Sequence, residues 1–349
     1  MPNISISSIE SLVVDVLQHV GVPKNDARIV ADSIVYAHQR EKGTHGIGRL
    51  HIYIRKIREG LMSPDTPLKV VKEGPVVSVL DAGNGFGQVA AIRGMRRAMD
   101  AAGRMGLGVV GIRHSNNFGT AGFIAEEALK RDMIGIVLSN SAPAISPTGG
   151  NRPLFGTNPL AVAFPVAPPQ LPIVLDMASS VAARGKIRQA ARNGDNIPFG
   201  WALDKDGQPT DKPLAALAGS MLPIGGAKGY GLALVIDVLA GMLTGSAFAG
   251  FAEGLNHPSK TSNYGHLLLA IDPNSFLPAE EYRNNMETLI RRVKQCGNDG
   301  AVRLPGEASL RKQSECSDNV LLSDTEWNSI STHMESILSE SGSPTPHGE

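Results

Sequence analysis

The chain has 349 residues, and its 33 Lys plus Arg balance 33 Asp plus Glu without a long run of either sign, which argues against a nucleic-acid or acidic-membrane partner. Its length exceeds the usual span of one core, so two interlocked domains that can enclose a pocket are expected. Only Cys296 and Cys316 are present, which leaves no disulfide framework or cysteine-based zinc site and suits a reducing, cytoplasmic setting.

In chain order, Ser7-Ser8-Ile9-Glu10 has capping-box spacing, and Ile9, Leu12, Val13, Val16, Leu17 and Val20 recur at helical intervals up to Gly21. A second helix follows Pro23 and carries Val30, Ile34 and Val35, and a third is predicted from Thr44 to Gly60. Short apolar runs at Val76–Leu80, Gly108–Ile112, Ile134–Leu138, Ile173–Leu175 and His266–Ile271 then read as strands. Helices are predicted between them near Gln88–Ala102, Ala121–Arg131 and Lys228–Leu243, and after Pro278 at Glu280–Val293 and Asp324–Leu338. The Tyr230–Leu243 stretch is too short to cross a bilayer and contains Asp237, and the polar Met1–Glu10 start is no signal segment, so no membrane association is expected. The fold class is α/β, a mixed α and β body. Residues 76–275 form a mixed-sheet body, residues 1–75 and 276–339 form helical parts that pack together, and 340–349 is a Ser/Pro/Gly-rich disordered tail.

Within Gly43-Thr44-His45-Gly46-Ile47-Gly48-Arg49, His45 and Arg49 are four residues apart, a spacing that puts two side chains on one face of a helix. A histidine titrating near neutrality beside a planar guanidinium reads as a proton donor next to a carboxylate clamp, or as a helix-start histidine with a surface arginine. Asp81-Ala82-Gly83-Asn84-Gly85-Phe86-Gly87 follows a strand and opens a helix, yet one residue rather than two separates its last glycines, so it reads as a turn and not a dinucleotide fingerprint. Gly225-Gly226-Ala227-Lys228-Gly229 lacks the Ser or Thr of an NTPase loop. It reads as a flexible loop at a helix start suited to a phosphate, or as a solvated lysine. Three strand ends, His114–Gly119, Leu138–Pro143 and Leu175–Ser179, either line a pocket or are ordinary loops. No metal-ligand spacing and no nucleophile elbow occurs in the sequence.

These segments, with Phe155-Gly156-Thr157-Asn158-Pro159, Gly200-Trp201-Ala202, Gly265-His266 and Leu304-Pro305-Gly306-Glu307, occur in the order that resembles the type 2 malate/L-lactate dehydrogenase family. That family also contains ureidoglycolate and sulfolactate dehydrogenases, diketogulonate reductase and cyclic-imine reductases. The resemblance implies a homodimer with a non-Rossmann nicotinamide-binding domain and a helical domain built from both chain ends. It also implies hydride transfer between NAD or NADP and a small carboxylate substrate, a 2-hydroxy acid or the matching 2-oxo acid or imine.

By the same resemblance, Arg49 would grip the substrate carboxylate, His45 would exchange the proton, and Asp176 would orient His45 or raise its pKa so that it stays protonated. Thr44, Asn117, Gly156 and Thr157 would line the substrate pocket. Cofactor contacts would come from Ser141, Asp176, Met177, Ala178, Ser179, Ala227, Lys228, Pro305, Gly306 and Glu307. Two positions depart from the family pattern: Asn117 stands where many members have a histidine, and Ala227 where a larger side chain is usual. Asparagine cannot deliver a proton at neutral pH, so Asn117 favours a cyclic imino acid as the alternative substrate. A cofactor-binding relative without catalysis is a third reading, opposed by the retention of His45, Arg49, Asp176 and Lys228.

Overall fold

A computed structural model describes residues 3–298, 300–316, 318–322 and 324–339. The chain opens with β1 (Asn3–Ser5), α1 (Ile6–His19) and α2 (Lys24–Gln39). Two 3-10 turns, Gly43–His45 and Ile47–Arg49, lead into α3 (Leu50–Arg58). The body runs β2 (Lys69–Glu73), β3 (Val77–Asp81), α4 (Gly87–Met105), β4 (Leu107–Ser115), α5 (Ala121–Ala125), β5 (Ile134–Ser139), β6 (Leu160–Phe164) and β7 (Ile173–Met177). Then come α6 (Arg184–Asn193), β8 (Ala202–Leu203), β9 (Pro209–Thr210), α7 (Pro213–Ala218), β10 (Ser220–Met221), α8 (Ala227–Ile236), a π-helical turn Asp237–Met242 and β11 (Tyr264–Ile271). The C-terminal part holds α9 (Ala279–Lys294), α10 (Glu307–Glu315), β12 (Asn319–Leu321) and α11 (Asp324–Ser339).

Seven strands form the central sheet in the order β2-β3-β4-β11-β5-β6-β7. Only β3 and β4 pair in parallel. Alternation along β11 separates its two faces, as the two-residue period of a strand requires. Leu268 and Ala270 join Val110, Ile112, Met95 and Met99 under α4, whereas Leu267 joins Leu138, Ile236 and Ala240 under α8 and the π turn. A second core joins the two chain ends: Ile9, Val13, Leu17, Val30 and Ile34 pack with Val320, Leu322, Met334 and Ile337, and β1 pairs with β12. Ile187, Ile197, Ala202, Ala216 and Met221 form a small third cluster that carries α6.

Three predicted helices differ from the sequence reading. Gly43, Gly46 and Gly48 weaken helix formation, and Gly46 is extended (ψ −156°). The 43–49 segment therefore forms two 3-10 turns, and the helix starts only at Leu50. The 121–131 helix changes to 3-10 geometry after Ala125. The 228–243 helix changes to π geometry at Asp237, whose buried carboxylate accepts the Ala249 N–H at 2.7 Å. Strands β2 and β6 and the polar helix α6 add to the predicted elements. The expected tail, 340–349, lies outside the described residues.

Candidate active site

The 43–49 segment is clamped to α2 by a histidine that sequence reasoning passed over. His38 Nε2 accepts the Ile47 N–H at 2.9 Å, and burial pushes its pKa down to about 4, which keeps the ring neutral and able to accept. Gly46 lies flat against that ring: a Cβ there would sit 2.2 Å from His38 Nε2. With the turn held, Thr44 Oγ1 lies 3.2 Å from His45 Nδ1, and Arg49 Nε donates to the Thr44 carbonyl at 2.8 Å. The hydroxyl engages Nδ1, so Nε2 is the nitrogen left for a ligand.

His45 and Arg49 thus come together by a folded turn rather than along a helix face. Burial and the Arg49 charge push His45 down to about 4, against an upward pull from Asp176. This corrects the expectation that a carboxylate keeps it protonated near neutrality. Burial outweighs the Asp176 charge, and Lys42, which forms an ion pair with Asp176 at the end of β7, offsets part of that charge. Gly122 on α5 leaves room for this carboxylate, since a Cβ there would lie 2.9 Å from both Asp176 Oδ2 and Tyr36 Oη. Behind it, Tyr36 and Arg40 both bind Glu126, at 2.6 and 2.8 Å.

The segments expected to meet the cofactor are tied to one another, and one of them reaches this turn through the Asp176–Lys42 ion pair. Ser141 N–H donates to Asn158 Oδ1 at 3.1 Å, and Gly156 packs so closely on Ser141 that a Cβ would lie 2.2 Å from its hydroxyl. Ser179 N–H and Oγ both donate to the Thr157 carbonyl, at 2.8 and 2.9 Å. Ile224 N–H donates to the Ser179 carbonyl at 2.9 Å, which brings the 176–179 strand end to the loop before α8. There Gly226 adopts φ +63°, ψ −121°, a conformation open to glycine, with nothing within 4 Å of where a Cβ would be. Ala227 and Lys228 follow it, exposed, at the first turn of a ten-residue helix. An open glycine loop, a helix N-terminus and an exposed lysine fit a dinucleotide phosphate.

Pro305 accepts the Val174 N–H at 3.0 Å, so the 305–307 loop meets β7 two residues before Asp176. The Glu307 carboxylate is engaged by Lys294, the Leu304 N–H and Arg311, and lies at about 2. Glu307 therefore offers this segment no free charge. Asn117 Oδ1 accepts the Gly119 N–H at 3.2 Å. Its loop rests on the fully buried His266, whose ring nitrogens each lie 2.9 Å from a hydroxyl, those of Ser139 and Ser115. The 81–87 segment is a packed turn, as read: a Cβ on Gly87 would lie 2.2 Å from the Asn116 carbonyl, and one on Gly85 2.5 Å from that of Asp65.

Besides His38, sequence reasoning missed Lys42 and Tyr36. Lys42 had one signal, its place directly before Gly43-Thr44-His45. Tyr36 had none, because α2 reads as an ordinary core helix in which it is one of nine buried residues.

The sequence profile of the family described as malate/L-lactate dehydrogenase matches residues 4–331. A malate/(S)-sulfolactate dehydrogenase of Methanothermus fervidus is 40% identical over 297 residues, 85% of this chain and 86% of its own. A (2R)-3-sulfolactate dehydrogenase (NADP(+)) of Chromohalobacter salexigens is 39% identical over 304 residues, 87% and 89% of the two chains. Among solved structures, sulfolactate dehydrogenase from Methanocaldococcus jannaschii superposes with a TM-score of 0.89 at 37% identity, covering 97% of each chain. Delta1-piperideine-2-carboxylate reductase from Pseudomonas syringae gives 0.87 at 29% identity, covering 95% and 99%. With the mixed sheet, the paired chain ends and the profile match in agreement, the chain belongs to the malate/L-lactate dehydrogenase family.

Proposed function

We propose that this chain exchanges a hydride between NAD or NADP and the C2 atom of a small 2-hydroxy or 2-oxo acid, with His45 as proton carrier and Arg49 as carboxylate clamp. The observation that carries the reading is the pairing of a partly buried, neutral imidazole with a guanidinium that no carboxylate among the described residues engages. The bound nicotinamide supplies or accepts the hydride. In the oxidative direction His45 Nε2 takes the hydroxyl proton as the C2 hydride leaves, and Arg49 fixes the acid so that its C2 faces the cofactor. In the reductive direction the same nitrogen returns the proton to the carbonyl oxygen. Burial holds His45 down first and the Arg49 charge second, and a carboxylate on Arg49 offsets that second cause, so substrate binding pulls its pKa upward. Asp176 acts through Lys42 and through its field on His45. Thr44, Asn117, Gly156 and Thr157 line the acid's site. Ser141, residues 176–179, Ala227, Lys228 and the 305–307 loop hold the cofactor.

The chain works as a cytoplasmic homodimer. In support, Val235, Val238, Met242 and Leu243 stay exposed along α8 and its π turn, beside Phe248 and Phe251, an apolar face suited to a second subunit. No helix among the described residues is long and apolar enough to cross a membrane.

Asn117 and the neutral His45 also favour reduction of cyclic imino acids, because a protonated imine brings its own proton. Absorbance assays of NADH and NADPH oxidation with pyruvate, oxaloacetate, sulfopyruvate, diketogulonate and cyclic imino acids test both readings. Turnover confined to oxo acids supports the first, turnover confined to imines supports the second, and none at all rejects both.

A further inference from the structure

The start of β11 sets an imidazole among apolar side chains. Leu268 and Ala270 fill the core under α4, and His266 lies fully buried beside the Phe118 ring of the same core, with ring centroids 4.8 Å apart. An imidazole in such a place is costly unless both of its nitrogens are matched. Both are, and by different strands: Nδ1 meets Ser139 Oγ at the end of β5 and Nε2 meets Ser115 Oγ at the end of β4, each at 2.9 Å. The Ser139 hydroxyl donates to the Asn140 carbonyl at 2.8 Å, so it accepts from Nδ1–H, and Nε2 of the neutral ring accepts the Ser115 proton. Three hydrogen bonds thus run in one direction across β4, β11 and β5. The backbone is shaped for this. The register of β11 on β4 shifts between Tyr264 and His266, so that Ser115 stands opposite Tyr264 where regular pairing would put His114.

Ser115 and Ser139 are the last residues of two strands that never touch, because β11 lies between them. Asn117 follows the first strand and Ser141 the second, and each loop is also tied on its far side. Asn116 Nδ2 donates to the Asn84 and Gly85 carbonyls, both at 2.9 Å, and Ser141 N–H donates to Asn158 Oδ1 at 3.1 Å. We propose that His266 is a positioning residue: its ring couples the Asn117 loop to the Ser141 loop and so fixes where the acid sits relative to the nicotinamide. The proposal rests on the reading above that Asn117 lines the acid's site and Ser141 the cofactor's. The competing account is a core histidine that only stabilises the sheet.

The test compares three variants of the full-length protein. In His266→Asn the amide reaches only the Nδ1 position and keeps the Ser139 bond, in His266→Gln it reaches the Nε2 position and keeps the Ser115 bond, and His266→Leu keeps neither. For each, kcat and the separate KM values for the acid and for NADH or NADPH are measured beside a thermal melt. His266→Leu is expected to lower kcat/KM by about tenfold to a hundredfold, as for a small misplacement of reacting groups. His266→Asn should raise chiefly the KM of the acid, and His266→Gln chiefly that of the cofactor. Constants that follow melting temperature alike in all three variants, or wild-type constants in His266→Leu, overturn the proposal. Amide hydrogen exchange of the same proteins needs no turnover. In His266→Leu, residues 115–119 and 139–143 should exchange faster together while the rest of β4, β5 and β11 stays protected. If the wild type turns over no acid or imine, the oxidoreductase reading fails, and the exchange pattern alone then decides the coupling. Unchanged loops, or loosening of the whole sheet, overturn it.

Discussion

The 42–49 turn and helix α6 meet where Gly185 packs against Thr44, and each carries an arginine in a different local setting. The turn puts rare residue types at a glycine-rich bend, where Gly46 exists to accept the His38 ring and His45 and Arg49 stand out against their neighbours. Helix α6 is ten residues of ordinary surface composition with one buried side chain. Its Arg188 becomes distinctive only because Gly185 lets the helix approach Thr44 and no acid is nearby. A candidate residue in a tightly packed turn stands out in the sequence, whereas a residue on a charged helix is distinguished only by what surrounds it.

The comparison predicts a steep gradient of effects, the largest at the turn. His45→Ala should lower turnover by about 10²- to 10⁴-fold while the protein still binds reduced cofactor, followed by the fluorescence of bound NADH. Turnover within a few-fold of wild type would move proton transfer to another group. Arg49→Ala should cost about a hundredfold in kcat/KM on every accepted acid, because the substrate carboxylate is left unpaired in a partly buried site.

Next come the glycines. Gly46→Ala should destabilise the protein by about 1–3 kcal/mol through overpacking against His38. Gly43→Ala, with nothing within 4 Å of its Cβ position, should stay within about 0.5 kcal/mol. Urea unfolding of the two variants measures the contrast directly.

The contrast also extends to pH. His45 lies at about 4 in the free protein, so kcat/KM for hydroxy-acid oxidation should rise through that value and then level off. The kcat profile should show a higher pKa, since bound carboxylate compensates Arg49. For stability, folded His38 and His266 bind protons only below about 4 and about 3, while the unfolded chain does so below about 6.5. The unfolded state therefore holds more protons in between. Stability is full above pH 6.5 and falls as pH drops towards 4, by about 1.4 kcal/mol per pH unit for each ring. Melting curves that are flat from pH 7 to 5 would contradict the burial of these imidazoles.

Much of this molecule follows from local sequence. Apolar runs such as Ile134–Leu138 and His266–Ile271 lie in strands because their alternate residues fill the cores on the two sheet faces. The one-residue gap between Gly85 and Gly87 argues against a Rossmann loop, and both positions are filled by neighbouring backbone. The proposed chemistry of His45 with Arg49 is read from residue type and spacing. Other features were decided only in three dimensions. The 43–49 segment has helical spacing but three glycines, and contact with His38 selects turns instead. Asp176 was legible as a carboxylate at a strand end, yet its partner Lys42 lies 134 residues away in the chain. The protonation of His45, the seat of α6 and the charge around Arg188 depend likewise on desolvation and on charges from distant segments. Those are properties of the packed interior, and no window of local sequence contains them.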